Sequence, residues 1–356
     1  MPRDRNPTLE AAVDAYLDSL DSGGSRSTMS YPLAGFADYC ENTLGVDRVG
    51  ELDPMDLRDY GQDLKSKTTA GDLKASTSNT YYDYVRAFLS FCVRSQWLET
   101  NPADTHEATE FLPEDKGDRQ AQFWTSEQRT QLLEYADKRV RMAREEVIDV
   151  PLTRAYRDRT VAILLARTGV RGAEIFRDPN DEDRDGLRWG DVNLEDKKLT
   201  VLGKSRSYET VVLPTSARDA LERYQRVLEP PTGEWPVFPT GHVASKYSAV
   251  EDATGERPEP GSDIDALLRE NGVAPPSITK EAGRQIMKRL TKEAGIEVDS
   301  HKDDPYLEPH GARRALGTDF YVEDAELAQD VLRHQSLETT HEYLDRDTDE
   351  MADEMD

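Results

Sequence analysis

The chain has 356 residues, more than an ordinary single domain, so two domains are expected, each able to bury its own core, and a small disulfide-stapled module is excluded. Its formal net charge of −26, with a sequence pI near 4.7, counts by itself against nucleic acid, because counterion release from phosphates needs a basic footprint. The longest unbroken apolar run, Val161 to Ala166, falls far short of the roughly 20 residues that span a bilayer, and the N-terminus carries no signal-peptide pattern, so no membrane partner is expected.

The first hundred residues predict a compact helical unit. Behind Thr8, Leu9, Val13, Tyr16, Leu17 and Leu20 repeat at the helical period, and Leu33, Phe36, Ala37, Cys40 and Leu44 do the same on a second segment. Asp53-Pro54, a cap followed by proline at the first helical position, opens a third helix carrying Leu57, Tyr60 and Leu64. A fourth runs from Ser78, with an apolar stripe of Tyr81, Val85, Phe88, Leu89 and Cys92 and an opposite face of Asn79, Tyr82 and Arg86. That face is either plain solvated surface or a helix presented to a DNA groove. The two cysteines, Cys40 and Cys92, both fall inside apolar helical patterns, and no Cys/His group has zinc spacing; a reduced, cytoplasmic setting without a metal is expected.

From Asn101 to Trp124 the period disappears while Pro, Asp, Glu and Gly accumulate, which predicts a linker. The expected boundaries are residues 1–105 for the helical domain, 106–124 for the linker and 125–356 for the second domain. Thr125 with Gln128 forms a capping-box pattern ahead of Leu132, Leu133 and Tyr135. A buried helix around Val161 to Ala166 leads into Thr168-Gly169-Val170-Arg171, and the acidic run Asp178 to Gly186 reads as an exposed insertion. Two strand-like runs, Leu199 to Leu202 and Tyr208 to Leu213, joined through Gly203 to Ser207, predict a hairpin with Lys204 in its turn. Glu251 to Ser262 reads as a loop, Thr279 to Ala294 as helical, and Asp345 to Asp356 as an acidic tail.

Three features of the second domain could carry chemistry. Arg171 follows a Thr-Gly turn at the start of a helix holding Glu174, where free amides favour an anion and a planar guanidinium fork suits two phosphate oxygens; alone, the pair also reads as a structural salt bridge. His310 and Arg313, three apart, share one helix face and can clamp an oxyanion while exchanging a proton beside it; alone, the motif also reads as a surface histidine and arginine that meet by chance. The adjacent Arg314 points elsewhere. Finally, Leu332-Arg333-His334 precedes His341-Glu342-Tyr343-Leu344, so that Tyr343 lies nine residues after His334; alone, Tyr343 also reads as a core tyrosine, and His341 is assigned to the solvated face.

Together and in this order, the Thr-Gly-Val-Arg171-Gly-Ala-Glu box, the hairpin lysine, the His-x-x-Arg box and the final histidine with its tyrosine resemble the tyrosine recombinase (phage integrase) family. The resemblance covers the chain from about Thr125 to its end and, more loosely, the N-terminal helical region. It implies a mainly α fold with a small β-hairpin or sheet, in two domains: a helical, SAM-like core-binding domain and an α+β catalytic domain that close around duplex DNA. It further implies Tyr343 as nucleophile, Arg171 and Arg313 as the clamp on the nonbridging phosphate oxygens, His310 and His334 as their hydrogen-bonding partners, and Lys204 as general acid. Asn79, Tyr82, Arg86 and Arg314 are the candidate DNA contacts.

The activity so implied is site-specific strand cleavage and rejoining through a 3′-phosphotyrosyl intermediate. No metal or other cofactor is expected, and the protein would be a monomer in free solution and a homotetramer on DNA. Two other activities fit similar residues: strand relaxation of the type IB topoisomerase kind, and DNA-binding regulation without catalysis. The sequence departs from the family pattern where Arg333 replaces the glycine usual before the last histidine and Arg314 replaces a common second histidine. Lys197 and Lys198 become alternatives to Lys204 if the hairpin register shifts. With 13 lysines against 32 arginines and 71 scattered acids, the composition suits a halophilic archaeon or its virus or plasmid. In molar salt the Debye length is about 3 Å and an acidic global charge no longer forbids DNA. An ordinary acidic mesophilic enzyme is the other reading of the same composition.

Overall fold

The computed structural model describes residues 6–115, 121–299 and 304–333, which divide into two compact units with a boundary at Gln120 and Ala121. His334, His341, Tyr343 and the acidic tail lie outside the described residues.

The first unit is helical: α1 (Leu9–Asp18), α2 (Gly23–Tyr39), α3 (Pro54–Ala70), α4 (Ala75–Arg94) and the single turn α5 (His106–Thr109). The caps are those expected. Thr8 caps α1 by accepting from the Ala11 amide, and Asp53 opens α3 in a reciprocal capping box with Asp56, with Pro54 behind it. The helical stripes meet in one core, in which Leu33, Phe36, Leu57, Val85, Phe88 and Leu89 are fully buried. Part of the segment expected to link the domains belongs to this unit: Ala108 of α5 is fully buried in the same core.

Tyr82 departs from its expected place on the polar face. It is fully buried, and its hydroxyl donates to the carbonyls of Ala103 and Ala108. The turn from Pro102 to Thr109 wraps back over α4 and needs a donor for those carbonyls. Asn79 donates to the Pro113 carbonyl, and Arg86 spends its guanidinium on Asp83 and Asp104. The face foreseen for DNA is therefore used to hold the end of this unit.

The second unit comprises α6 (Ser126–Arg144), α7 (Leu152–Thr168), the single turn α8 (Gly172–Ile175), strands β1 (Val192–Asn193), β2 (Lys198–Leu202) and β3 (Tyr208–Val212), and then α9 (Thr215–Leu228), α10 (Val243–Thr254), α11 (Ile264–Glu270), α12 (Lys280–Ala294), α13 (Pro309–Glu323) and α14 (Ala325–Leu332). The sheet is antiparallel in the order β1-β2-β3. The two-residue strand β1 and helix α9 were not among the expected elements, and residues 251–254, read as loop, complete α10.

Helix α7 is the central post. Val161, Ala162, Leu164, Leu165 and Ala166 are fully buried and Ile163 nearly so, with α6, α9, α12 and α13 packed around them. Truncating one of the leucines to alanine would cost about 2–5 kcal/mol. The wholly buried carboxylate of Asp158 accepts from Arg139 on α6, from Arg157 on its own helix and from Arg289 on α12. This fixes the long helix α12 to the post. At the other end α7 stops at Gly169, whose φ of +65° is left-handed and whose missing Cβ leaves room for Leu316 and Leu332.

Candidate active site

Directly after that glycine stop, Arg171 occupies the N-cap position of α8. Its backbone amide and its Nη1 each donate to one carboxylate oxygen of Glu174, both at 2.8 Å. Glu174 is buried, a position that by itself raises a carboxyl pKa. The guanidinium of Arg333 at 2.8 Å and the bonds from Arg171 outweigh that effect and hold it below the usual carboxylate range. The salt-bridge reading of Arg171 and Glu174 is thus correct, and the pair aims the guanidinium.

Arg313 on α13 is 1% exposed and donates to the backbone carbonyls of Gly169 and Leu332. One guanidinium thereby joins the turn before Arg171 to the end of α14, one residue short of Arg333. His310, one helical turn earlier on α13, keeps an exposed surface beside a cleft of about 270 Å³ that it lines with Arg171, Lys280, Arg284, Tyr306 and Glu308. Partial burial of its imidazole and the guanidiniums of Arg314, Arg313 and Arg171 pull its pKa down to about 4, against a weaker opposing pull from Glu308. The ring is neutral at neutral pH and able to accept a proton. Arg171 and His310 therefore line one cleft, and the charges of Arg313 and Arg314 are felt at the imidazole.

Lys204 sits in the β2–β3 turn, exposed, with no ion pair among the described residues. The strand register pairs Leu202 with Tyr208 and Lys198 with Val212, which fixes Lys204 at the tip. Lys197 and Lys198 lie at the far end of β2, a strand about 13 Å long at strand rise, and Lys198 pairs with Asp196. The alternative register is excluded.

The acidic run between α8 and the sheet is exposed as expected at Glu182, Asp183 and Asp185 but not throughout. Asp178 and Asp181 are buried. Arg184 donates to the carbonyls of Ala173, Leu202 and Gly203, while Arg206 in the hairpin turn binds both oxygens of Asp181 at 2.9 Å. The run is a bracket between α8 and the hairpin, built by Arg184, which satisfies backbone carbonyls on both sides, and by the Arg206–Asp181 pair.

Helix α12 supplies what the sequence reading missed. Lys280, Arg284 and Lys288 stand four apart, and the first two line the cleft beside Arg171 and His310. The spacing was available as a signal, but the surrounding acids obscure it: Lys280 pairs with Asp178, Arg284 with Glu281 and Lys288 with Asp304. Tyr306 in the same cleft has its phenol pKa raised, chiefly by burial and then by Glu308. Among the described residues no group of three or more His, Cys, Asp or Glu could hold a metal ion.

Residues 122–350 match the model of the phage integrase family. The chain is 24% identical over 258 residues to tyrosine recombinase XerD of Neisseria meningitidis, covering 72% of this chain and 69% of that protein. It is 21% identical over 345 residues to a XerD of Staphylococcus epidermidis, covering 94% of both. Among solved structures, its fold is similar to the XerH site-specific recombinase bound to a palindromic difH substrate, with a TM-score of 0.57 at 19% identity over 93% of this chain and 79% of that one. It is also similar to the lambda integrase fragment bound to a core site, with a TM-score of 0.56 at 14% identity over 94% of this chain and 95% of that one. With the family model spanning well over half of its length, the chain belongs to the phage integrase family, the site-specific tyrosine recombinases.

Proposed function

We propose that the protein cuts and rejoins duplex DNA at specific sites, with Tyr343 as nucleophile and Arg171, Arg313, His310, His334 and Lys204 around the scissile phosphate. The observation that carries this reading is that Arg171 and His310 line one cleft, with Arg313 buried behind it and bonded to the turn before Arg171, while Arg184 and Arg333 tie the Lys204 hairpin to that same turn. Attack of the Tyr343 phenolic oxygen on phosphorus forms a 3′-phosphotyrosyl bond and breaks the bond to the 5′ oxygen. The phenol gives up its proton, for which the neutral imidazole of His310 is a suitable acceptor. The 5′ oxygen leaves as a hydroxyl with a proton from Lys204. Charge building on the nonbridging oxygens is met by two guanidiniums already oriented by Glu174 and by backbone carbonyls, so little reorganisation accompanies the step. A hydroxyl from the partner strand reverses these events on a new end, conserving bond energy without a cofactor.

The basic row on α12 extends the cleft and suits phosphates flanking the cut. Exchange between two sites implies a homotetramer on DNA, assembled from monomers. The surplus of acids and the preference for arginine suit a halophilic archaeal cytoplasm or an element that replicates there.

The test is a suicide substrate: nicked duplexes from a randomised library, from which the cleaved fragment diffuses away. Wild-type protein is expected to leave a denaturant-resistant protein–DNA adduct and Tyr343→Phe none. Equal adduct from Tyr343→Phe, or strand breaks without an adduct, would reject the reading.

A further inference from the structure

Arg333 ends α14 with φ of +54°, a left-handed conformation that suits glycine and strains other L-residues. Its side chain is nevertheless 11% exposed and lies between two carboxylates. Nη2 donates to Glu174 Oε2 at 2.8 Å, and Nη1 faces Glu209 Oε2 at 3.1 Å. Glu174 is the residue that orients Arg171. Glu209 is on β3, paired with Val201 and with its other oxygen 3.5 Å from the Ser205 hydroxyl in the lysine turn. The residue before Arg333, Leu332, offers its carbonyl to Arg313, and the residue after it in sequence is His334.

We propose that Arg333 is a positioning residue: a strut between Glu174 and Glu209 that sets the Lys204 hairpin at a fixed distance from the Arg171 turn. The physical reason is charge. Without the guanidinium, the buried Glu174 keeps only Arg171 as its ion-pair partner, and Glu209 on the hairpin loses the charge that holds it and is free to swing out. A planar fork reaches both acids at once, which a lysine ammonium cannot do with the same geometry. The bracket formed by Arg184, Arg206 and Asp181 holds the opposite side of the turn, so removal of Arg333 loosens the hairpin without detaching it.

The catalytic consequence rests on the recombinase reading; the mechanical one does not. The informative variant is Arg333→Gly, because glycine is at ease with the observed φ and the fold is not endangered. Arg333→Gly is expected to keep a cooperative melt, relief of the left-handed strain offsetting part of the lost ion pairing, while amide hydrogen exchange of residues 203–209 accelerates about tenfold. Adduct formation on a suicide substrate should slow at least about tenfold with DNA affinity unchanged, since a hairpin displaced by an ångström misplaces its acid. Arg333→Lys should recover part of the rate, and adding Glu209→Gln to Arg333→Gly should slow it little further, because both act through one contact. Unchanged exchange in residues 203–209, or a wild-type rate of adduct formation in Arg333→Gly, would overturn the proposal. If wild-type protein forms no adduct at all, the recombinase reading fails, and the exchange comparison still decides whether the strut exists.

Discussion

Arg313 donates from one guanidinium to the carbonyl of Gly169 and to that of Leu332. These bonds join the turn that presents Arg171 to the segment that leads to His334. The same side chain that the proposed mechanism places on the phosphate is therefore also part of the scaffold, and its loss should register in two separable ways. Arg313→Ala leaves two buried carbonyls without donors and should lower stability by about 2–4 kcal/mol in urea unfolding. Arg313→Lys keeps a charge but only one point of contact, and should lose less stability while still failing to form adduct. Full cleavage activity in Arg313→Lys would remove Arg313 from the clamp.

The position of His310 gives a pH prediction. Its pKa of about 4 in the folded protein lies below the ordinary value of 6.5, so protonation favours the unfolded chain. The contribution to stability is fully present above pH 6.5 and is lost as pH falls toward 4. In a histidine-resolved NMR titration of the free protein, His310 should titrate near 4, and in Arg314→Ala its midpoint should move up toward 6.5. An ordinary midpoint in wild type would mean that the ring is neither sheltered from water nor held among the guanidiniums.

Tyr82 supplies a stability prediction that opposes its expected DNA role. Tyr82→Phe removes the donor to Ala103 and Ala108 and should cost about 1–2 kcal/mol. In a unit of this size that lowers the melting temperature by several degrees, about 4–8 °C per kcal/mol. DNA affinity per folded molecule should not change. A specific affinity loss at unchanged stability would restore Tyr82 to the interface.

Arg284, half of whose side chain is exposed in the cleft wall, is expected to meet a phosphate. Arg284→Ala should weaken binding equally across DNA sequences and reduce the slope of log K against log salt by about 1. A change confined to particular base pairs would instead mark it as a base-reading residue.

Much of this was legible in the sequence where local chemistry decides. The cap at Asp53, the capping box at Thr125 and the hairpin around Lys204 depend on a few neighbouring residues, and they occur as expected. The placement of Arg171 after a glycine stop and of His310 and Arg313 one turn apart on one helix was readable because it depends on local spacing. Tyr82 was misjudged because a helical stripe cannot show that a later turn, Pro102 to Thr109, will cover the polar side of α4. The acidic run was misjudged for a related reason: Asp178 and Asp181 are buried by arginines and a lysine from distant positions, Arg206 and Lys280 among them. The Arg333 strut spans residues 174, 209 and 333, a separation over which periodicity carries no information.

The central claim is the identity of the nucleophile, and the most direct measurement is peptide mapping by mass spectrometry of the adduct trapped on a suicide substrate. The account predicts a nucleotide remnant on the peptide that contains Tyr343, linked through a 3′ phosphate. A remnant on another residue, such as Tyr306 in the same cleft, would contradict it.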